Sequence, residues 1–164
     1  MGYTHYWNRH DHTGATTHAR AHAREAYGRL VLDAQRICRQ AMENGIVICG
    51  GDGEGEPEFT EGYFALNGTI LNDEWHESMV WEAVPTAPEW QAQGKHGYDM
   101  SEGVFTFCKT AYKPYDAVVT AILLRAKHYY GDLVSVRSDG TWDEWLAGRE
   151  LYRQVFSETA LPYE

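Results

Sequence analysis

A chain of 164 residues, 43% hydrophobic and 13% aromatic, has the length for a single globular domain over residues 1–164 and is too apolar for disorder. Its formal charge of −10 argues against holding duplex nucleic acid through the phosphates, and its longest apolar run, residues 117–124, is too short to cross a bilayer. The charge is uneven: residues 1–50 carry +2, 51–104 carry −11, 105–137 carry +3 and 138–164 carry −4, so a small anion still meets local positive sites.

In chain order, Tyr3 to Trp7 alternates and is rich in strand formers, which predicts a first strand. From about Thr17 to Asn44 the spacing of Tyr27, Leu30, Val31, Ala34, Ile37, Cys38 and Ala41 predicts a helix, stopped by Asn44-Gly45. Ile46 to Cys49 is expected as a short apolar strand, and Gly50 to Pro57 as a loop. Gly62 to Leu66 followed by Asn67-Gly68 signals a hairpin, with a further strand within His76 to Ala83. Residues 85–100 carry two prolines and predict a long surface loop. Val104 to Cys108 is the next strand, Pro114 suits the first turn of a helix ending near Gly131, and Leu133 to Val136 is the last strand. Thr141-Trp-Asp-Glu144 matches a capping box that opens a final helix. The order is α+β, expected as one mainly antiparallel sheet with about three helices packed on it.

The segment from Phe105 to Asp116 carries the strongest chemical hint. Lys109, Thr110, Tyr112, Lys113 and Tyr115 sit at a predicted strand-to-helix junction in an otherwise acidic protein. A helix N-terminus offers free N–H groups and partial positive charge. Lysines and aromatic rings beside it suit an anion bearing a flat ring, such as a nucleotide. Arg137, near the end of another strand, is expected at the same end of the sheet, and His5 lies mid-strand among aromatic residues. The plainer alternative is lysines in water and tyrosines in the core.

Gly50-Gly-Asp52-Gly-Glu54-Gly-Glu56-Pro-Glu58 begins like a calcium loop, but Tyr63 stands where the bidentate Glu is needed, and no Gly-Lys-Ser/Thr follows. Asp52 is the acid best placed to face a pocket. His18 and His22 have zinc-ligand spacing, but Ala-Arg-Ala lies between them in place of the H-E-x-x-H pattern. No metal or cofactor is therefore expected. No nucleophile motif of the G-x-S-x-G type is present. The N-terminus has no basic region before an apolar stretch, so no signal peptide is expected; Cys38, Cys49 and Cys108 form no CxxC pair and fit a reduced, cytoplasmic protein.

Four blocks, Met1-Gly-Tyr-Thr-His-Tyr-Trp7, the Gly50–Glu58 loop, Phe107-Cys-Lys-Thr-Ala-Tyr-Lys-Pro-Tyr-Asp116 and Ser138-Asp-Gly140 before a Trp-containing helix, span nearly the whole chain. Together they resemble a family of small uncharacterised proteins from bacteriophages and bacteria; residues 69–103 are shorter than that resemblance leads one to expect. The resemblance implies no activity, but a phage-type setting favours anti-defence roles, among them sequestering a nucleotide immune signal. The expectation is a non-enzymatic binder of a small anionic, nucleotide-like ligand, acting in the bacterial host cytoplasm. A metal-dependent hydrolase or phosphodiesterase using Asp52, the nearby Glu residues and His5 is one alternative. An acidic inhibitor that imitates DNA through residues 51–104 is another. Whether the chain forms a homo-oligomer is left open.

Overall fold

The computed structural model describes residues 2–164. Strand β1 (Thr4–Arg9) lies between β5 (Val104–Lys109) and β6 (Val134–Ser138), antiparallel to both. A second antiparallel sheet joins β2 (Glu58–Phe59), β3 (Tyr63–Leu66) and β4 (Met79–Glu82). The single sheet expected from sequence is therefore two three-stranded sheets. The α+β class holds, with three long helices: α1 (Thr17–Glu43), α3 (Asp116–Tyr130) and α4 (Leu146–Phe156), while α2 (Glu89–Ala92) is a single turn.

Two local signals in the second sheet resolve differently from expectation. In Ile46–Cys49 the Ile46 N–H is spent on the Ala41 carbonyl, and Gly50 turns the chain away, so only Cys49 pairs, with Asn67. Asn67-Gly68 is not a hairpin turn. Asn67 is fully buried: its amide donates to the carbonyls of Gly51 (3.0 Å) and His76 (2.8 Å), and its Oδ1 accepts from the N–H of Gly68 and His76. A side chain with all four bonds made braces three segments. β3 accordingly pairs with β4 across a longer excursion.

Helix α1 starts at Thr16, whose hydroxyl accepts from Ala19 N–H, and buries Tyr27, Leu30, Ala34, Ile37, Cys38 and Ala41. Helix α3 is buried on almost every side, not on one face, because α1, α4 and the first sheet all pack on it. The expected capping box at Thr141–Glu144 forms in both directions, Glu144 N–H to Thr141 Oγ1 and Thr141 N–H to Glu144 Oε1. No helix of the described residues is long and apolar enough to cross a membrane.

One ion joins the two sheets. Arg9, at the end of β1 and 2% exposed, donates twice to Asp11, at 2.9 and 2.7 Å, and to the carbonyls of Glu82 and Ala83 at the end of β4. Its guanidinium lies over Trp81 and Tyr130, and Trp7 stacks on Trp81 at 5.8 Å. Removing one member of such a pair strands the other charge in the core. Arg9→Ala and Asp11→Ala should each destabilise by about 3–5 kcal/mol in urea titrations. The double variant should lose clearly less than their sum, because the pair acts as a unit.

Burial pushes the Tyr27 hydroxyl and the Cys38 thiol up to about 12, from ordinary values of 10.0 and 9.0. The folded state thus keeps protons that the unfolded chain releases, so stability falls as pH rises through that interval. The two groups' contributions should be intact below about pH 9 and lost progressively to about pH 12, as followed by circular dichroism. Cys38→Ala should weaken the part of this loss that begins near pH 9.

Candidate functional site

Residues directly opposite one another in antiparallel strands share a face of the sheet. Tyr3, just before β1, and His5, Trp7 and Arg9 within it point toward the helices and the second sheet, which leaves Thr4, Tyr6 and Asn8 on the other face. The pairing then fixes that outer face row by row. Lys109 stands opposite Thr4; Phe107, Tyr6 and Arg137 form one row; Phe105, Asn8 and Ser135 form the next. Phe107 is 51% exposed. Phe105 lies 5.9 Å from Phe107 and 6.2 Å from Tyr6, and the Arg137 guanidinium sits 5.3 Å from the Tyr6 ring centre.

The segment 89–103 covers only the Asn8 end. Asn8 donates to Tyr98 Oη and the Glu102 carbonyl, and the buried Gln91 amide pairs with both backbone groups of Phe105. The Tyr6–Phe107 end stays open. Lys109 and Arg137 have no side-chain hydrogen bond or ion pair among the described residues. An inter-strand spacing of about 4.8 Å and a rise of about 3.4 Å per residue put their Cα atoms roughly 12 Å apart. A cavity of about 540 Å³ opens at the β6 edge, lined by Tyr6, Arg137, Asp139, Gly140 and Tyr163. Asp139 is already engaged: it accepts from Tyr6 Oη and from Thr4 N–H, both at 3.1 Å.

The rest of the junction expected to hold an anion is occupied by the chain itself. Asp116 stands in the first turn of α3 and occupies its electropositive end. Its Oδ1 accepts from the buried Thr110 hydroxyl at 2.5 Å and meets His5 Nε2 at 2.6 Å. His5 is fully buried, and its Nδ1 lies 2.8 Å from Ser138 Oγ. Ser138 Oγ also accepts from Gly140 N–H and Trp145 Nε1–H. With both lone pairs used, its proton goes to Nδ1, which leaves Nε2–H to donate to Asp116. Hydroxyl, imidazole and carboxylate follow one another as in a nucleophilic triad, yet the saturated Oγ and the enclosed imidazole make this a pin between β1, β6 and α3.

Tyr115 is buried and donates to the Glu77 carbonyl at 2.5 Å. Lys113 pairs with the exposed Asp73 at 3.2 Å. Tyr112 stacks on Tyr3 at 3.8 Å. Asp52 is exposed and accepts from Glu54 N–H within its own loop, with no contact to either lysine among the described bonds. The structure therefore brings Lys109 and Arg137 to one face and leaves Lys113 and Asp52 elsewhere, while His5, Thr110 and Tyr115 belong to the interior. Among the described residues, no three His, Cys, Asp or Glu groups come close enough to share a metal ion.

The aromatic platform went unassigned in the sequence, although its signal is present: Phe105, Phe107 and Lys109 alternate along one strand. No family model matches the chain, and no curated protein or solved structure is significantly similar to it.

The turn after β5 is strained. Ala111 and Tyr112 have φ of 52° and 60°, and Lys113 N–H closes the turn on the Thr110 carbonyl. Left-handed backbone costs an L-residue roughly 1–2 kcal/mol, whereas glycine adds less than that in unfolded-chain entropy. Ala111→Gly should therefore stabilise the fold by up to about 1 kcal/mol in urea titrations. Gly140→Ala should do the reverse, since its Cβ would fall 2.1 Å from Tyr3 Oη.

Proposed function

We propose that the protein binds an anionic, nucleotide-like ligand on the open face of the β5–β1–β6 sheet. The observation that carries this reading is the exposed Phe107 ring beside the half-buried rings of Tyr6 and Phe105, with two unpaired cations near them. Phe107 and Tyr6 offer stacking surface to a base, worth about 1–3 kcal/mol per base in comparable sites. Lys109 and Arg137 neutralise phosphate at opposite edges of the row. Positive groups on the two outer strands, with β1 between them, suit a ligand with two separated phosphates, such as a cyclic or linear dinucleotide, better than a single phosphate. The net charge of −10 works against long single strands, whose many phosphates would meet the acidic surface.

In a phage-type setting, such binding without turnover amounts to sequestering a nucleotide immune signal. The ligand then leaves the protein chemically unchanged; a hydrolase would release product.

Calorimetry against a panel of cyclic and linear mono- and dinucleotides tests this. Micromolar binding of a dinucleotide is expected, weakened roughly tenfold or more by Phe107→Ala or Arg137→Ala. Lys113→Ala should leave affinity unchanged, because that lysine faces Asp73. Mass spectrometry of the ligand recovered after denaturation should return it intact. Failure of the whole panel to bind, or variants of Phe107 and Arg137 that bind like the parent, would overturn the reading.

A further inference from the structure

A cavity of about 850 Å³ lies between α1 and the second sheet. Its walls are mainly apolar: Tyr27, Val31 and Leu32 from α1 face Phe59, Ala83 and Val84. Leu32 and Val84 are 61% and 52% exposed, more than apolar side chains on an unoccupied rim would favour. Two arginines, Arg20 and Arg24, stand at one end, one helical turn apart on the same stripe of α1. Neither makes an ion pair or hydrogen bond among the described residues. Two acids share the lining: Asp11, which has both oxygens taken by Arg9, and Glu61, which follows β2 in the second sheet.

Gly28 is the second, independent observation. It sits in the middle of a 27-residue helix, where glycine is less favourable than alanine, and it lines the groove. A Cβ built there meets nothing within 4 Å, so no contact inside the protein requires a glycine. A ligand lying against the bare helix backbone would require one.

We infer that this groove is a second binding site, for a monomeric long-chain carboxylate such as a free fatty acid. The carboxylate meets the guanidinium forks of Arg20 and Arg24. The alkyl chain runs over Gly28 toward Val31, Leu32 and Phe59. From Arg24 to Gln35 the helix offers roughly 16 Å of path at 1.5 Å per residue. A paired-arginine end and a mainly apolar run, interrupted at the rim by Thr60, Glu61 and Gln35, select a single-headed amphiphile whose carboxylate lies at the arginines over a nucleotide, whose charge and polar atoms are spread along its length.

The test uses the intact protein with dodecanoate or palmitate below its micelle concentration, read by calorimetry and by native mass spectrometry. One-to-one binding is expected, at least tenfold weaker for the alcohol of equal chain length. Arg20→Ala combined with Arg24→Ala should lower affinity at least tenfold. Gly28→Ala separates a ligand role from a structural one: it should raise the melting temperature while weakening binding, and Gly28→Leu should abolish binding. Phe107→Ala should leave fatty-acid binding intact, which keeps this site distinguishable from the nucleotide platform. Equal affinity for the alcohol, unchanged affinity in Gly28→Ala, or binding only to anionic phospholipid vesicles and not to the free acid would overturn it.

Discussion

The guanidinium of Arg9 is the point on which both sheets are set. A buried charge is tolerable only when its donors are met, and Arg9 meets a carboxylate, two carbonyls and two aromatic faces at once. Those partners come from the segment after β1, the end of β4 and helix α3. One side chain therefore fixes the relative placement of three elements that share no backbone ladder. Because strands alternate, committing Trp7 and Arg9 inward also commits Tyr6 outward. The surface proposed to bind a ligand is a geometric consequence of the ion pair in the core.

The opposite end of β1 is held by a second polar cluster. Thr110, His5 and Ser138 converge on or beside Asp116, and Trp145 closes over them. The chain thereby supplies its own anion to the start of α3, which leaves Lys109 and Arg137 as the free positive groups at this end. Fixed at both ends, β1 presents Tyr6 on a rigid support, and a rigid support lowers the ordering cost that binding must overcome.

The sequence made some features legible and hid others for physical reasons. Helix α1 was readable because its burial follows one face, and so was the capping box at Thr141, whose two bonds are local. Asn67-Gly68 misled because the same dipeptide that favours a tight turn also suits a buried amide brace, and only long-range partners decide between them. The division into two sheets depended on β1 pairing with β5 and β6, about a hundred residues or more away, which no local pattern records. The positive character of residues 109–113 was visible, but which lysine remained unpaired depended on Asp73, which is distant in sequence. His5 stood out by its aromatic company; its role as a pin rested on Ser138 and Asp116, far along the chain.

The Gln91 amide behaves as a fragment of a strand. It donates to the Phe105 carbonyl and accepts from the Phe105 N–H, so it occupies the two backbone groups that Phe105 would otherwise offer to another chain at the β5 edge. A single side chain in a lobe with little regular structure thus blunts part of the open edge of an aromatic sheet. Losing that amide would return the Phe105 N–H and carbonyl to an open strand edge beside exposed aromatic surface, the combination that promotes strand-to-strand association.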